Sequence, residues 1–190
     1  LDGDITLDLN TKIFNYDLEL NKLTLTDLVF YRALGLDFDG EVEGRFSGKG
    51  VVENFKSDSE LRVRKSRIGN KSYPNSNLSL SHNGKEYFLK GNLAEGMGIL
   101  DAYLNFDDVS KKKSKLSMRV NTSDIRNLLG FVSDHNLRSN DIYGNIDATL
   151  RSEFFLPKLE NINFDLAVDD LNFTRHGLSF EVDKSKNKIK

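Results

Sequence analysis

Hydrophobic and polar residues alternate along most of this chain. The pattern is clearest in 36–48, where Leu, Phe, Val and Gly occupy every second position and charged or hydroxylated residues lie between them. A period of two predicts a β-strand with one apolar face and one solvated face. The same period predicts further strands in 1–9, 14–25, 60–68, 77–82, 85–91, 99–108, 115–121, 142–150, 159–173 and 178–183.

Two short helices interrupt the predicted strands. Thr26 can cap the first helix and Gly35 can end it, while Ser123 can cap a second helix with the sequence DIRNLLGFV. Each helix precedes a glycine-containing strand, so a helix-then-strand unit occurs twice. This repeat divides the chain into 1–25 (the end of a preceding β-repeat), 26–122 and 123–183 (two full units) and 184–190, a disordered tail.

A tight hairpin is predicted between the strands 77–82 and 85–91. Asn83 and Gly84 separate them, and both residue types accept positive φ. The pair therefore predicts a type I′ turn with these two residues at its centre.

Composition narrows the class of protein. The 190 residues are 38% hydrophobic and 29% charged, with a net charge of −2, which argues against a general nucleic-acid binder. There is no cysteine, and no stretch approaches the roughly 18 apolar residues of a membrane-spanning helix. The chain starts at Leu1 inside a predicted strand, so we take it to be an internal segment of a longer protein.

Catalytic and metal-binding patterns are not found in the sequence. His82, His135 and His176 are scattered without metal-ligand spacing, and no nucleophile elbow, P-loop or zinc-protease motif occurs. The lysine run 111–115 is interpreted as a solvated loop. We therefore expect neither an enzyme nor a cofactor.

The apolar faces of the strands are the candidate site. Two helices of about two turns, each ~10 Å across, cannot cover a sheet of about a dozen strands spaced ~4.8 Å apart. The faces could close on one another as a β-sandwich or barrel core, or remain open as a groove. The candidate groove-lining residues are Ile5, Leu7, Leu18, Leu20, Phe38, Val42, Phe46, Leu61, Val63, Leu78, Leu80, Leu89, Leu104, Phe106, Leu116, Met118, Ile146, Leu150, Ile162, Phe164, Leu166 and Val168.

Glycines 40, 44 and 48 share the apolar face of their strand with Val42 and Phe46. They could leave room for a ligand or permit tight curvature of the sheet. The alternative is that they mark bulges and bends.

The strand from Gly40 to Gly48, the two helix-then-glycine-strand units and the segment FFLPKLENINFDLAVDDLNF resemble the AsmA-like and TamB family of bacterial envelope proteins. The resemblance implies a mainly β fold: an elongated, curled antiparallel sheet of the β-taco type, with an apolar concave lining and two short helices. It also implies a place in the periplasm, within a longer protein anchored at the inner membrane.

The function that the resemblance implies is transfer of phospholipid between the inner and outer membranes through a hydrophobic groove. A lipopolysaccharide-type carrier uses the same physics with a different amphiphile. The alternative of another class is a non-enzymatic scaffold for outer-membrane protein assembly or secretion. Expected partners are phospholipid or another amphiphile and an outer-membrane β-barrel protein that binds outside this segment, with no nucleic acid.

Overall fold

A computed structural model describes residues 1–27, 38–51, 54–68, 71–107, 109, 112–129, 142–156, 158, 160–182 and 188–189. Its regular structure is almost entirely strand. The strands are β1 (Asp2–Asp8), β2 (Ile13–Thr24), β3 (Phe38–Val51), β4 (Asn54–Ile68), β5 (Lys71–Tyr73), β6 (Ser76–Asn83), β7 (Glu86–Leu93), β8 (Gly98–Asn105), β9 (Ser114–Thr122), β10 (Ile142–Phe155), β11 (Glu160–Arg175), β12 (Leu178–Val182) and β13 (Lys188–Ile189).

The strands form one antiparallel sheet in chain order. The order is β1-β2-β3-β4-β6-β7-β8-β9-β10-β11-β12, with β5 beside the end of β4 and β13 beside β11. The two outermost strands, β1 and β12, do not pair with each other, so the sheet is open. The mainly β, open-sheet prediction is therefore confirmed, and the closed-barrel alternative is wrong.

The accessible surface is that of an open sheet. The chain exposes 13067 Å², whereas a compact monomer of this mass would expose about 9,200 Å². Among the described residues, the buried hydrophobic side chains are those of Val42, Tyr73, Ala102 and Ile142. So small a core does not fit a closed sandwich, in which the inner faces of both sheets would be covered.

Bulges keep the apolar side chains on one face where the sequence changes phase. Between Leu20 and Leu23 the apolar spacing is three instead of two, and the β2–β3 register shifts at that point. The same happens in β11 between Val168 and Leu171. Each extra residue restores the later apolar side chains to the face of the earlier ones.

Helical structure in the described residues is limited to short turns. They are the 3₁₀ turns Leu25–Asp27 and Ala94–Gly96 and the helix α1, Arg126–Leu129. Most of the first predicted helix, 28–35, lies outside the described residues. The second helix begins later than predicted, and Asp124 caps it instead of Ser123.

The cap of α1 is set by two hydrogen bonds. The amide of Asp124 donates to Thr122 Oγ1 (3.2 Å), and Asp124 Oδ1 then accepts from the amide of Arg126 (3.0 Å). Thr122 thus holds Asp124 at the helix start, one residue beyond Ser123. The Arg126 guanidinium beside it lowers the pKa of Asp124.

The β6–β7 hairpin forms, but its turn lies one residue later than predicted. Asn83 pairs with Glu86 and is the last residue of β6, so the loop is Gly84 and Lys85. Only Gly84 of these two has positive φ (62°), which is the pattern of a type II′ turn. The prediction of a type I′ turn centred on Asn83-Gly84 is therefore wrong.

A two-residue strand lies within 184–190, the segment predicted to be a disordered tail. Ile189 pairs with Leu166 and Lys188 with Ala167, which adds β13 to the edge of β11.

The face opposite the apolar one is charged and solvated. Ion pairs join neighbouring strands, including Arg45–Asp17 (2.6 Å) and Arg119–Asp147 (2.6 Å). Because these side chains are largely exposed, each pair adds little stability. Their main consequence is that this charged face can remain exposed to water.

Tyr103 lies on this charged face, and its hydroxyl donates to Glu86 Oε1 (2.6 Å). Partial burial, followed by the hydrogen bond to Glu86, raises the pKa of Tyr103 to about 12. Since this folded value exceeds the ordinary one of about 10, the stabilisation is complete below pH ~10 and is lost as the pH rises through ~12.

We predict that Tyr103→Phe lowers the free energy of unfolding at pH 7 by about 0.5–1 kcal/mol, the low end for a hydrogen bond because the site is half exposed. In a phenolate absorbance titration, one of the six tyrosines should ionise near pH ~12, and this step should be missing in the variant. Loss of a step near pH ~10 instead would contradict the assignment.

Candidate functional site

One apolar row crosses nine strands of the sheet from β2 to β11. Each member lies directly opposite the next, so the row is continuous over about 38 Å at ~4.8 Å per strand. This leucine row consists of Leu20, Gly44, Leu61, Leu78, Gly91, Leu100, Met118, Leu150 and Leu166.

The strand register places the other predicted lining residues on the same face, in rows that flank the leucine row. On one side lie Leu18, Phe46, Leu80, Leu89, Leu116 and Phe164, with Ile5, Leu7, Leu104, Phe106 and Ile162 beyond them. On the other side lie Val42, Val63, Ile146 and Val168, and the backbone of Phe38 is in phase with them.

The predicted lining residues differ in how far solvent reaches them. Val42 is 8% exposed and belongs to the small core, whereas Phe164 is 66% exposed. Leu80 and Met118 are also exposed, although they lie in the middle of the sheet. The apolar face is therefore open along its length, with its better-covered part near Val42.

A groove of about 610 Å³ lies over the middle of the sheet. Five of its fifteen lining residues are consecutive members of the leucine row: Gly44, Leu61, Leu78, Gly91 and Leu100. The other ten are their strand neighbours, whose side chains lie on the charged face and include those of Glu43, Arg45, Glu60, Arg62, Lys90 and Asp101. Because no residue of the apolar rows that flank the leucine row lines this groove, it opens on the charged face.

The glycines on the apolar face are covered by their neighbours. A Cβ atom at Gly44 would lie 2.6 Å from Leu61 Cδ2 and 2.7 Å from the Glu60 carbonyl oxygen. One at Gly48 would lie 2.6 Å from Phe55 Cζ and 2.7 Å from Tyr16 Cε1. These two glycines thus admit side chains from adjacent strands and do not leave vacant space for a ligand.

An aromatic ladder, which the sequence analysis missed apart from Phe106, flanks the leucine row toward one end of the strands. It crosses the sheet from β2 to the end of β8, with neighbouring ring centroids 4.3–6.3 Å apart. The ladder consists of Phe14, Tyr16, Phe55, His82, Tyr87 and Phe106. Aromatic residues in phase with the apolar face, each near a strand end, were the signal that could have found it.

His82 is part of this ladder and not of a metal site. Its Nε2–H donates to the Gly84 carbonyl oxygen, and its ring stacks on Tyr87 at 4.3 Å between centroids. Within the described ranges, no three His, Asp or Glu side chains are placed to hold a metal ion. Nor is any helix in those ranges long and apolar enough to cross a membrane.

No family model, curated protein or solved structure matches this chain. The apolar face is therefore the observation from which a function can be inferred.

We predict that Gly44→Ala destabilises the sheet by about 1–3 kcal/mol, because the new methyl group meets a backbone oxygen as well as the tip of Leu61. Urea unfolding curves measure the difference. The control is Ser79→Ala, on an exposed side chain of the opposite face in β6. Equal stability of the two variants would show that the space above Gly44 is not filled.

Proposed function

We propose that this chain shields the acyl chains of a phospholipid on its open apolar face. It would do so as a segment of a longer periplasmic protein, anchored at the inner membrane, that carries lipid between the inner and outer membranes. The observation that supports this proposal is the leucine row, which is continuous, free of charge and, at every member except the buried Gly91, at least partly exposed. The resemblance of the glycine strands to AsmA-like and TamB proteins supports the periplasmic compartment and a path between the two membranes.

The apolar face is long enough for the task. A bilayer core of ~30 Å contains two opposed acyl layers, so one tail spans about 15 Å. The leucine row, at about 38 Å, exceeds twice that length. A tail can therefore move from strand to strand without leaving apolar surface.

The hydrophobic contact is strong enough to hold a tail. Because it is non-directional, it does not fix the tail at one position. Removal of a CH₂ group from water yields about 0.8 kcal/mol, so a sixteen-carbon chain gains up to ~12 kcal/mol if it is fully covered. An open sheet covers only one side of the chain, which lowers this value. Because no hydrogen bond fixes the tail, sliding along the row costs little.

Photo-crosslinking tests this proposal at positions that the structure shows to be accessible. A photoreactive amino acid at Met118 or Phe164 should capture phospholipid when the protein is incubated with labelled lipid vesicles, since both side chains are exposed on the apolar face. Mass spectrometry of the adducts identifies the lipid. It also separates phospholipid from a lipopolysaccharide-type cargo.

Matched controls lie one residue away on the charged face. The same photoreactive residue at Ser117 or Asn163 should give no lipid adduct, because adjacent strand residues point to opposite faces. Capture at these control positions equal to that at Met118 and Phe164 would overturn the apolar face as the lipid site. So would protein adducts alone at both apolar positions.

A scaffold function is the second candidate, and the edge strand β1 supports it. All seven residues of β1 are exposed, and among the described strands only β2 pairs with it. Such an edge can accept a strand from a partner by β-augmentation.

Val42→Arg distinguishes the two candidate functions. The lipid proposal predicts that a charge at this 8%-exposed position abolishes lipid capture at Met118, either by blocking the row or by unfolding the sheet. Circular dichroism separates the two causes. A scaffold would keep its partner binding in this variant if the sheet is intact, and would lose it when proline is placed in β1.

A further inference from the structure

The two ends of the strands differ in structure. The connections β1–β2, β3–β4, β6–β7, β8–β9 and β10–β11 all lie at one end, which we term the hairpin end. The connections at the opposite end contain the helical turns Leu25–Asp27, Ala94–Gly96 and Arg126–Leu129. There Tyr73 is buried, and its hydroxyl donates to the Asn127 carbonyl oxygen (2.7 Å), which packs α1 onto the sheet.

The hairpin end exposes apolar side chains at its turns. Leu9, in the β1–β2 turn, is 80% exposed, and Val109, in the β8–β9 connection, is 85% exposed. Val51, the last residue of β3, is exposed as well. The opposite end also exposes apolar side chains, such as that of Leu178, so these turns offer apolar contact without by themselves distinguishing the two ends.

The aromatic ladder lies beside these turns, on the apolar face of the same end. In the described part of the chain, neither the hydroxyl of Tyr16 nor that of Tyr87 has a hydrogen-bond partner. Rings with an apolar body and a polar tip are characteristic of the boundary between hydrocarbon and water. The ladder therefore marks a level at which apolar and polar surroundings meet.

Several lysines of the hairpin end are neutralised locally. Lys85 pairs with Asp107 (3.0 Å) and Lys112 with Glu86 (3.1 Å). Glu153 has two lysine neighbours, Lys113 (3.5 Å) and Lys115 (3.4 Å). A hydrogen bond with the Thr11 side chain, together with those from the amides at positions 10 and 11, lowers the pKa of the Asp8 carboxylate.

Other exposed lysines at this end, namely Lys12, Lys49, Lys56 and Lys158, have no such neutralisation among the described residues. Lys49 and Lys56 lie directly opposite each other in β3 and β4, and neither forms an ion pair with any described residue. Like charges at opposed positions destabilise a sheet. An anionic surface at the hairpin end would remove that cost.

We propose that the hairpin end docks on the surface of an anionic phospholipid bilayer. Leu9, Val51 and Val109 enter the interface, Lys49 and Lys56 lie near the lipid phosphates, and the aromatic ladder lies at the level of the headgroups. A lipid that leaves the bilayer there meets the ladder before it reaches the leucine row. The docking does not require that the apolar face hold lipid, so either proposal can fail without the other.

Vesicle flotation of the full chain tests the docking. The protein should float with vesicles that contain phosphatidylglycerol and not with vesicles of pure phosphatidylcholine, and binding should weaken as salt is added. The double variant Lys49→Ala/Lys56→Ala should weaken partitioning by on the order of ten- to thirty-fold, since each lysine near an anionic surface contributes about a five-fold factor. Leu9→Asn should weaken it independently of salt.

Matched variants elsewhere make the test specific. Arg62→Ala/Lys90→Ala removes two exposed cations from the middle of the same charged face, and Leu178→Asn removes an apolar side chain that is 78% exposed at the opposite end. Both should float like the unmodified chain. Equal losses in these controls, or equal binding to neutral vesicles, would overturn the proposal, and photo-crosslinking at Met118 would report on the apolar face separately.

Discussion

Strand register is the constraint on which the rest of this structure depends. With few fully buried apolar side chains, the sheet is held chiefly by its backbone hydrogen bonds and by contacts between side chains on adjacent strands. A slip of one residue in any strand would transfer its apolar set to the charged face. The leucine row and the cross-strand ion pairs on the opposite face favour the same register, so both faces oppose such a slip.

Glycine and large side chains are complementary within this register. Gly48 lies between Tyr16 and Phe55, and Gly44 lies opposite Leu61, so each glycine receives a side chain that would otherwise project from the sheet. At each of these glycines the apolar surface therefore lies closer to the backbone, but it stays continuous. The filling of the space above Gly44 and Gly91 is therefore a consequence of the same pairing that joins the strands.

Local sequence patterns predicted the strands because alternation is a local property. The shared face of Leu61, Leu78 and Leu100 followed as soon as the strands paired in chain order. The turn at Gly84 and the cap at Asp124 were each placed one residue too early, since Asn83 and Ser123 have the same local chemistry as the residues that act there. Pairing with Glu86 and the hydrogen bond from Asp124 to Thr122 decided between them.

The aromatic ladder could not be predicted in the same way. Phe55, His82 and Tyr87 come from three strands, and nothing local shows that their rings approach within 4.3–6.3 Å. The ladder depends on the lengths of the intervening hairpins, which bring the strand ends to a common edge. The sequence also left undecided whether the glycines make room for a ligand or mark bulges and bends, because the side chains that cover Gly44 and Gly48 belong to other strands.

The difference between the two ends follows from the meander itself. Successive connections in an antiparallel sheet alternate between its ends, so helical segments placed at every second connection accumulate at one end. The other end is left with short turns, and short turns cannot cover the aromatic rings beside them. A lipid path along the leucine row would thus have turns such as α1 on one side, and on the other side the rings, the apolar tips and the lysine pair of β3 and β4. A molecule with hydrocarbon tails and an anionic headgroup would contact the apolar tips with its tails and the lysine pair with its headgroup.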